Sequence, residues 1–181
     1  MEISKQGLIE LANYEALAHT KYIDSGGVQT IGIGMTVSEI KDIKSWAWDR
    51  ALSTQECVEM YVKSIKKYQD AVNKALKVPL MQYQFDALVS ITYNIGTGGM
   101  AGSTFMRRIN AKDSPERIVS AMKAWNKDNG RVVKGLVNRR NAEADLYLTG
   151  KYKNDGTVGL IAVNSAHKPV YKGRVSIGEY L

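Results

Sequence analysis

The sequence predicts an α+β chain that is mostly helix. Six stretches carry apolar residues at helical spacing, most of them opened by a Ser or Pro start signal. Against them stands one β-branched run, Val28 to Ile33, set behind the turn cluster Asp24-Ser25-Gly26-Gly27. The length, 181 residues, fits one domain or one core with two lobes. A chain this long buries roughly 70% of the surface its unfolded state exposes, so it needs no staples.

Residues 3–15 read as a helix. Ser4 caps it, and Leu8, Ile9 and Leu11 form its buried face. Residues 21–35 read as a hairpin, with Lys21 to Asp24 as one strand and Val28 to Ile33 as the other. If Ser25-Gly26-Gly27 is the loop, Asp24 faces Val28 and has Thr30 as diagonal neighbour on the same face. A slip of one residue would separate the two side chains. Residues 37–52 read as a loop with a helical turn. Trp46 and Trp48 invite sugar stacking there, but packing of the insert onto the core is the preferred reading.

Ser53 and Glu56 form a capping-box signal that opens a long amphipathic helix to about Leu76. Its stripe is Val58, Tyr61, Val62, Ile65, Tyr68, Val72 and Leu76, with the lysines largely off it. Residues 81–95 are apolar nearly all round and predict a central, buried helix. Gly96, Gly98, Gly99 and Gly102 then break the chain. A short helix from Ser103 to about Asn110 follows. Ser114 and Pro115 start another, with Ile118, Val119, Met122 and Trp125 inward. Residues 127–134 read as a polar loop. Residues 136–149 form the last helix, where Arg139 and Glu143 make an i, i+4 pair between Leu136 and Leu146 and so are expected to be at least partly buried. The tail, 151–181, carries five basic residues against Asp155 and Glu179. It is expected to be extended and packed on the core, with a wall-binding arm as the alternative.

Composition narrows the function classes. A single cysteine, Cys57, excludes an intramolecular disulfide, and no Cys/His cluster suggests zinc; neither metal nor cofactor is expected. No stretch approaches a membrane span, so stable membrane insertion is not expected. No basic leader with an apolar run is visible, which predicts synthesis and accumulation in a cytoplasm. The net charge of +7 suits an anionic polymer, either nucleic acid or a cell wall, and no nucleic-acid module signature is found.

The candidate chemistry sits between Tyr14 and Thr36. Eight residues separate Glu15 from Asp24, and five separate Asp24 from Thr30. Two carboxylates and a hydroxyl around a Gly-rich hairpin match the needs of glycoside hydrolysis. One acid protonates the leaving oxygen, and a second carboxylate handles the nucleophile. Glu15 falls at a helix C-terminus, where the dipole offers a carboxylate nothing; that suits a general acid. Taken singly, each has an ordinary explanation: a surface glutamate, a turn aspartate, a strand threonine.

Taken with three further blocks, the chain resembles the phage-type lysozymes, a glycoside hydrolase family of endolysins. Thr30-Ile31-Gly32-Ile33-Gly34 follows the Glu–Asp–Thr spacing. Gln84-Phe85-Asp86-Ala87-Leu88-Val89-Ser90 comes next, with Asn94 and Gly96. Ser103-Thr104 leads to Arg108 and Asn110. Trp125, Gly135-Leu136, Arg139-Arg140 and Glu143 complete the series. The resemblance covers about residues 7–150. It implies a two-lobe lysozyme-like fold with a small antiparallel β-sheet beside an active-site cleft, and hydrolysis of the β-1,4 bond between N-acetylmuramic acid and N-acetylglucosamine. It implies Glu15 as general acid, Asp24 and Thr30 as positioners of the attacking water, and Arg139 as the arginine holding the glutamate. Asn94 and Ser103 are implied to support the site or to line the saccharide groove. The expected partner is peptidoglycan, with no nucleic acid, and the expected state a monomer. The expected route is a lysin held in the host cytoplasm and acting on the wall after release. Residues 1–150 would form the catalytic domain and 151–181 an extension. A lytic transglycosylase on the same bond and a virion-borne lysozyme are the alternatives. Two departures stand out: Ala16 where the family usually has Gly after the glutamate, and Gly32-Ile33-Gly34-Met35-Thr36 without the family's Tyr and His.

Overall fold

The computed structural model describes residues 1–40 and 43–181. By contacts the chain divides into two compact units. One joins Met1–Gly7 to Ile65–Lys153, and the other joins Leu8–Ser64 to Asn154–Leu181. The predicted class holds: helices dominate, with one small sheet and one short hairpin.

Helix α1 (Lys5–Ala12) is shorter than expected, and residues 13–15 close it with single tight turns. Ser4 caps it, its Oγ accepting from Gly7 N at 3.0 Å. The sheet belongs to the second unit. Strand β1 (Leu17–Ile23) pairs antiparallel with β2 (Gln29–Gly32), and β2 with β3 (Met35–Thr36). Tyr22 pairs with Thr30 and Ile23 with Gln29, and Asp24 N donates to Val28 O at 2.9 Å. The register therefore matches the sequence expectation. β1 starts four residues earlier than predicted and changes register between Ala18 and Tyr22, as a bulge does.

Residues 37–52 contain two single 3-10 turns, Val37–Glu39 and Ile43–Ser45; the part at 41–42 lies outside the described residues. The described part is laced onto β1 and the tail. Leu52 N donates to His19 O at 2.8 Å, and Lys21 Nζ donates to Trp46 O at 2.7 Å. Trp48 stacks on His167 with ring centroids 3.9 Å apart, and the Arg50 guanidinium lies 3.5 Å over Trp46. Trp48 thus packs the insert onto the tail, as the preferred reading expects, whereas the ring contact of Trp46 is with Arg50 of the insert itself.

Helix α2 (Thr54–Ala75) opens with the predicted capping box. Glu56 N donates to Ser53 Oγ at 3.1 Å, and Ser53 N to Glu56 Oε2 at 2.7 Å. Val58, Tyr61, Ile65 and Val72 are buried on its stripe, whereas Val62, at the edge of the predicted stripe, is exposed.

In the other unit, α3 (Gln82–Ile95) buries every residue from Phe85 to Thr92. The expected glycine break is instead a short helix, α4 (Thr97–Ala101), entered through Gly96. Helix α5 (Thr104–Asn110) is capped by Ser103 Oγ, which accepts from Met106 N at 3.0 Å. Helix α6 (Pro115–Lys123) is capped by Ser114 with Pro115 in its first turn. Trp125 lies beyond its end and is partly exposed, so it does not continue the inward stripe. The predicted loop at 127–134 holds a hairpin, β4 (Lys127–Asp128) with β5 (Arg131–Val132), turned by Asn129 and Gly130, both at positive φ. Helix α7 (Lys134–Thr149) ends at Gly150 in the left-handed conformation. Asp86, 1% exposed, ties this unit's chain ends to its centre. It accepts from Ser4 N and Oγ, from Gln82 Nε2 at 2.8 Å and from Tyr152 Oη at 2.6 Å.

The tail is a hairpin, β6 (Thr157–Val163) with β7 (Pro169–Ser176). β6 pairs parallel with β1, giving the order β3-β2-β1-β6-β7. The sheet is therefore mixed and five-stranded, not the small antiparallel one expected. Parallel neighbours require a long crossover, here everything between β1 and the tail, and no local turn signal marks such a pairing.

Candidate active site

The site grows out of the end of α1. Asn13 N donates to Ile9 O, Tyr14 N to Leu11 O and Glu15 N to Ala12 O, all at 3.0–3.1 Å, so the helix tightens as it closes. Ala16 then leaves at φ +56°. That left-handed conformation costs an alanine roughly 1–2 kcal/mol and a glycine little, which gives a physical reason for glycine at this place in the family pattern. Glu15 is half-buried, and its side chain crosses directly over Gly34. A Cβ at position 34 would stand 2.6 Å from Glu15 Oε2 and 2.8 Å from Glu15 Cβ. Gly34 is at φ +64°, in the tight β2–β3 turn.

Asp24 does two things. Its Oδ1 accepts from Gly26 N and Val28 N, each at 2.8 Å, which folds the hairpin turn. The carboxylate keeps further lone pairs on Oδ2, because an ionised Asp has about four acceptor sites. Thr30 is buried, with Oγ1 at 3.4 Å from Val28 O.

Tyr22 shares the face of Asp24 and Thr30, and sequence reasoning missed it. Opposite Thr30 in the ladder, it hydrogen-bonds the Thr30 side chain. Its phenol is pushed up to about 12, first by burial, then by the negative charges of Asp24 and Glu15, with the Thr30 hydrogen bond acting the other way. Tyr22, Asp24 and Thr30 thus share one face of the hairpin. The signal was available: Tyr22 is two residues before Asp24, hence on the same strand face.

The other three sequence candidates lie in the helical unit. Arg139 and Glu143 are both buried, as expected, with Nε to Oε1 at 3.1 Å. Arg140, fully buried and not singled out from the sequence, comes closer still, with Nε 2.6 Å from Glu143 Oε2; Ser90 Oγ donates to Glu143 Oε1 at 2.6 Å. Asn94 is exposed and lines a pocket of about 460 Å³ with Ile95, Trp125, Lys127, Asp128, Val133 and Leu136. Ser103 is buried, its hydroxyl engaged as the α5 cap. Among the described residues no group of three or more His, Cys, Asp or Glu could hold a metal ion.

Comparison with known proteins identifies the family. The family model described as phage lysozyme matches residues 12–143. The endolysin of Bacillus phage B103 is 34% identical over 156 residues, covering 85% of this chain. The chain spans only 57% of that relative's length. The endolysin of Salmonella phage P22 is 34% identical over 149 residues, covering 82% of this chain and 99% of the relative. Among solved structures, the endolysin from Escherichia coli O157:H7 phage FAHEc1 superposes with a TM-score of 0.77 at 39% identity, covering 85% of this chain and 98% of that one. The match over most of its length, through the very segment that carries Glu15, Asp24 and Thr30, shows that the chain belongs to the phage lysozyme family.

Proposed function

We propose that the protein is a muramidase of the endolysin type, hydrolysing the β-1,4 bond between N-acetylmuramic acid and N-acetylglucosamine in peptidoglycan. The observation that carries this reading is that Asp24 and Thr30 share one hairpin face while the Glu15 side chain crosses Gly34 in the adjoining turn of the same sheet. Glu15 gives its proton to the glycosidic oxygen as the bond to the anomeric carbon breaks. A water approaches the oxocarbenium-like centre, held by the Thr30 hydroxyl and by Asp24, which takes up the water's proton. The new hydroxyl leaves a reducing end on the released sugar. The backbone bonds to Asp24 Oδ1 keep that carboxylate from swinging, so its remaining lone pairs stay aimed while the chemistry proceeds.

In this reading residues 1–150 carry the catalytic fold. Arg139, Asn94 and Ser103 are the supporting residues in this reading. The pocket beside Asn94, with the face of Trp125, is of a size and chemistry suited to a sugar or peptide stem. The chain works as a monomer, held in the cytoplasm of an infected cell and released to the wall late in a phage cycle. Its basic surface favours an anionic wall. The test is Glu15→Gln, assayed by clearing of peptidoglycan suspensions. It should melt like the native protein and lyse nothing; near-normal clearing would reject the assignment.

A further inference from the structure

We propose that the C-terminal hairpin β6–β7 is a positioning element for the Glu15 turn, acting through Gly159 and Arg174. The proposal rests on the reading of Glu15 as the acid. The hairpin lies outside residues 12–143, which the family model matches, so it is a feature of this chain beyond that pattern.

Three contacts converge on the turn. Immediately after Ala16, β1 runs into parallel pairing with β6, Leu17 beside Leu160 and Ala18 beside Ile161. Gly159, one residue earlier on β6, lies against Ala16 itself; a Cβ there would be 3.3 Å from Ala16 Cβ. The next nearest atom, on the Tyr171 ring, is at an ordinary 3.5 Å. Arg174 of β7 reaches across, donating from Nη2 to Asn13 Oδ1 at 3.0 Å and to Thr157 O at 2.8 Å, and from Nε to Thr157 Oγ1 at 2.6 Å. The residues two before and one after Glu15 are thereby both held by the tail. At the other end of β1, Ile23 N donates to His167 O at 2.7 Å, beside Asp24, and His167 is wedged on Trp48. One hairpin therefore grips both ends of the strand that separates the acid from the water-holding pair.

The need for such a grip follows from Ala16. Its left-handed backbone is unfavourable for alanine, so the turn persists only where its surroundings over-determine it. β6 supplies those surroundings, and a side chain at position 159 would press on Ala16, which would have to give by a few tenths of an ångström.

The test uses the full chain with Gly159→Val, Arg174→Ala and the methyl swap Ala16→Gly with Gly159→Ala. kcat and KM are read on purified peptidoglycan, and melting is recorded beside them. Displacing Glu15 by about 1 Å should lower kcat by roughly tenfold to a hundredfold in Gly159→Val. KM should stay within about twofold, with the protein folded at the assay temperature. Arg174→Ala, a surface change, should show a smaller loss of the same kind. Gly159→Ala alone should lose activity, and the swap should regain it, because the methyl merely changes sides. If Gly159→Val and Arg174→Ala keep native kcat while Glu15→Gln is dead, positioning by the hairpin is overturned and the acid assignment survives. Positioning falls equally if any loss matches the unfolded fraction or if the swap rescues nothing. An active Glu15→Gln would overturn both readings.

Discussion

Replacing Gly34 by alanine is the sharpest perturbation that removes no reacting group. Two effects act together. The residue sits at φ +64°, where a side chain costs roughly 1–2 kcal/mol. For a chain of this size that lowers the melting temperature by roughly 2–8 °C. The second effect is specific. The new methyl would stand 2.6 Å from Glu15 Oε2 and 2.8 Å from its Cβ, against the 3.4 Å at which ordinary contact begins. The glutamate must therefore retreat by about 0.8 Å, and a misplacement near 1 Å can cost about a hundredfold in rate. The assay is clearing of purified peptidoglycan at a temperature well below both melting transitions, with kcat and KM separated. The expected result is a fall in kcat of about a hundredfold with KM little changed. A variant that melts several degrees lower yet keeps kcat within about twofold would refute the claim that Gly34 seats the acid.

Tyr22→Phe removes the hydroxyl that touches Thr30; losing one such bond should lower kcat by roughly twofold to tenfold, and an unchanged kcat would show that Thr30 needs no help. Asp86→Ala strands Ser4, Gln82 and Tyr152, so the urea midpoint should fall by the equivalent of roughly 2–4 kcal/mol, with a drop under 1 kcal/mol counting against the latch. Tyr22 and Tyr147 are each raised from 10.0 to about 12, and Cys57 from 9.0 to about 12, burial being the first cause in all three. Groups raised on folding contribute stability that is fully present below the unfolded values. It is lost as pH rises through the folded ones, so the urea midpoint should fall between about pH 9 and pH 12. Over that window Cys57 should stay unreactive to thiol reagents until the protein unfolds, and early labelling in the folded state would contradict its burial.

Much of the site was legible because its signals are local. The Asp24-Ser25-Gly26-Gly27 turn set the hairpin register, and that register alone put Asp24 and Thr30 on one face. The capping box at Ser53 and the caps at Ser4 and Ser114 were readable for the same reason. Tyr22 was passed over because a tyrosine in a short strand reads first as β propensity, and its buried position depends on what covers the strand. The partnership of β1 with β6 was not readable, since it joins residues more than 140 positions apart and parallel pairing leaves no turn signature. Gly96 to Gly102 reads as a break by propensity, yet tertiary packing around buried Met100 holds a turn of helix there. The Asn129-Gly130 pair is a strong hairpin signal that lay unread inside a stretch classed by polarity. Arg139 stands out by its i, i+4 spacing to Glu143, whereas Arg140, one residue on and deeper, makes the closer ion-pair approach.

The most direct trial of the proposed chemistry is to digest purified peptidoglycan in 18O-labelled water and to examine the ends of the released muropeptides, with Glu15→Gln as the blank. Water addition guided by Asp24 and Thr30 predicts reducing N-acetylmuramic acid ends bearing the label, and no release by the variant. Anhydro ends without label would mean that the bond is cut by internal displacement, and the water-holding role of this hairpin would fall.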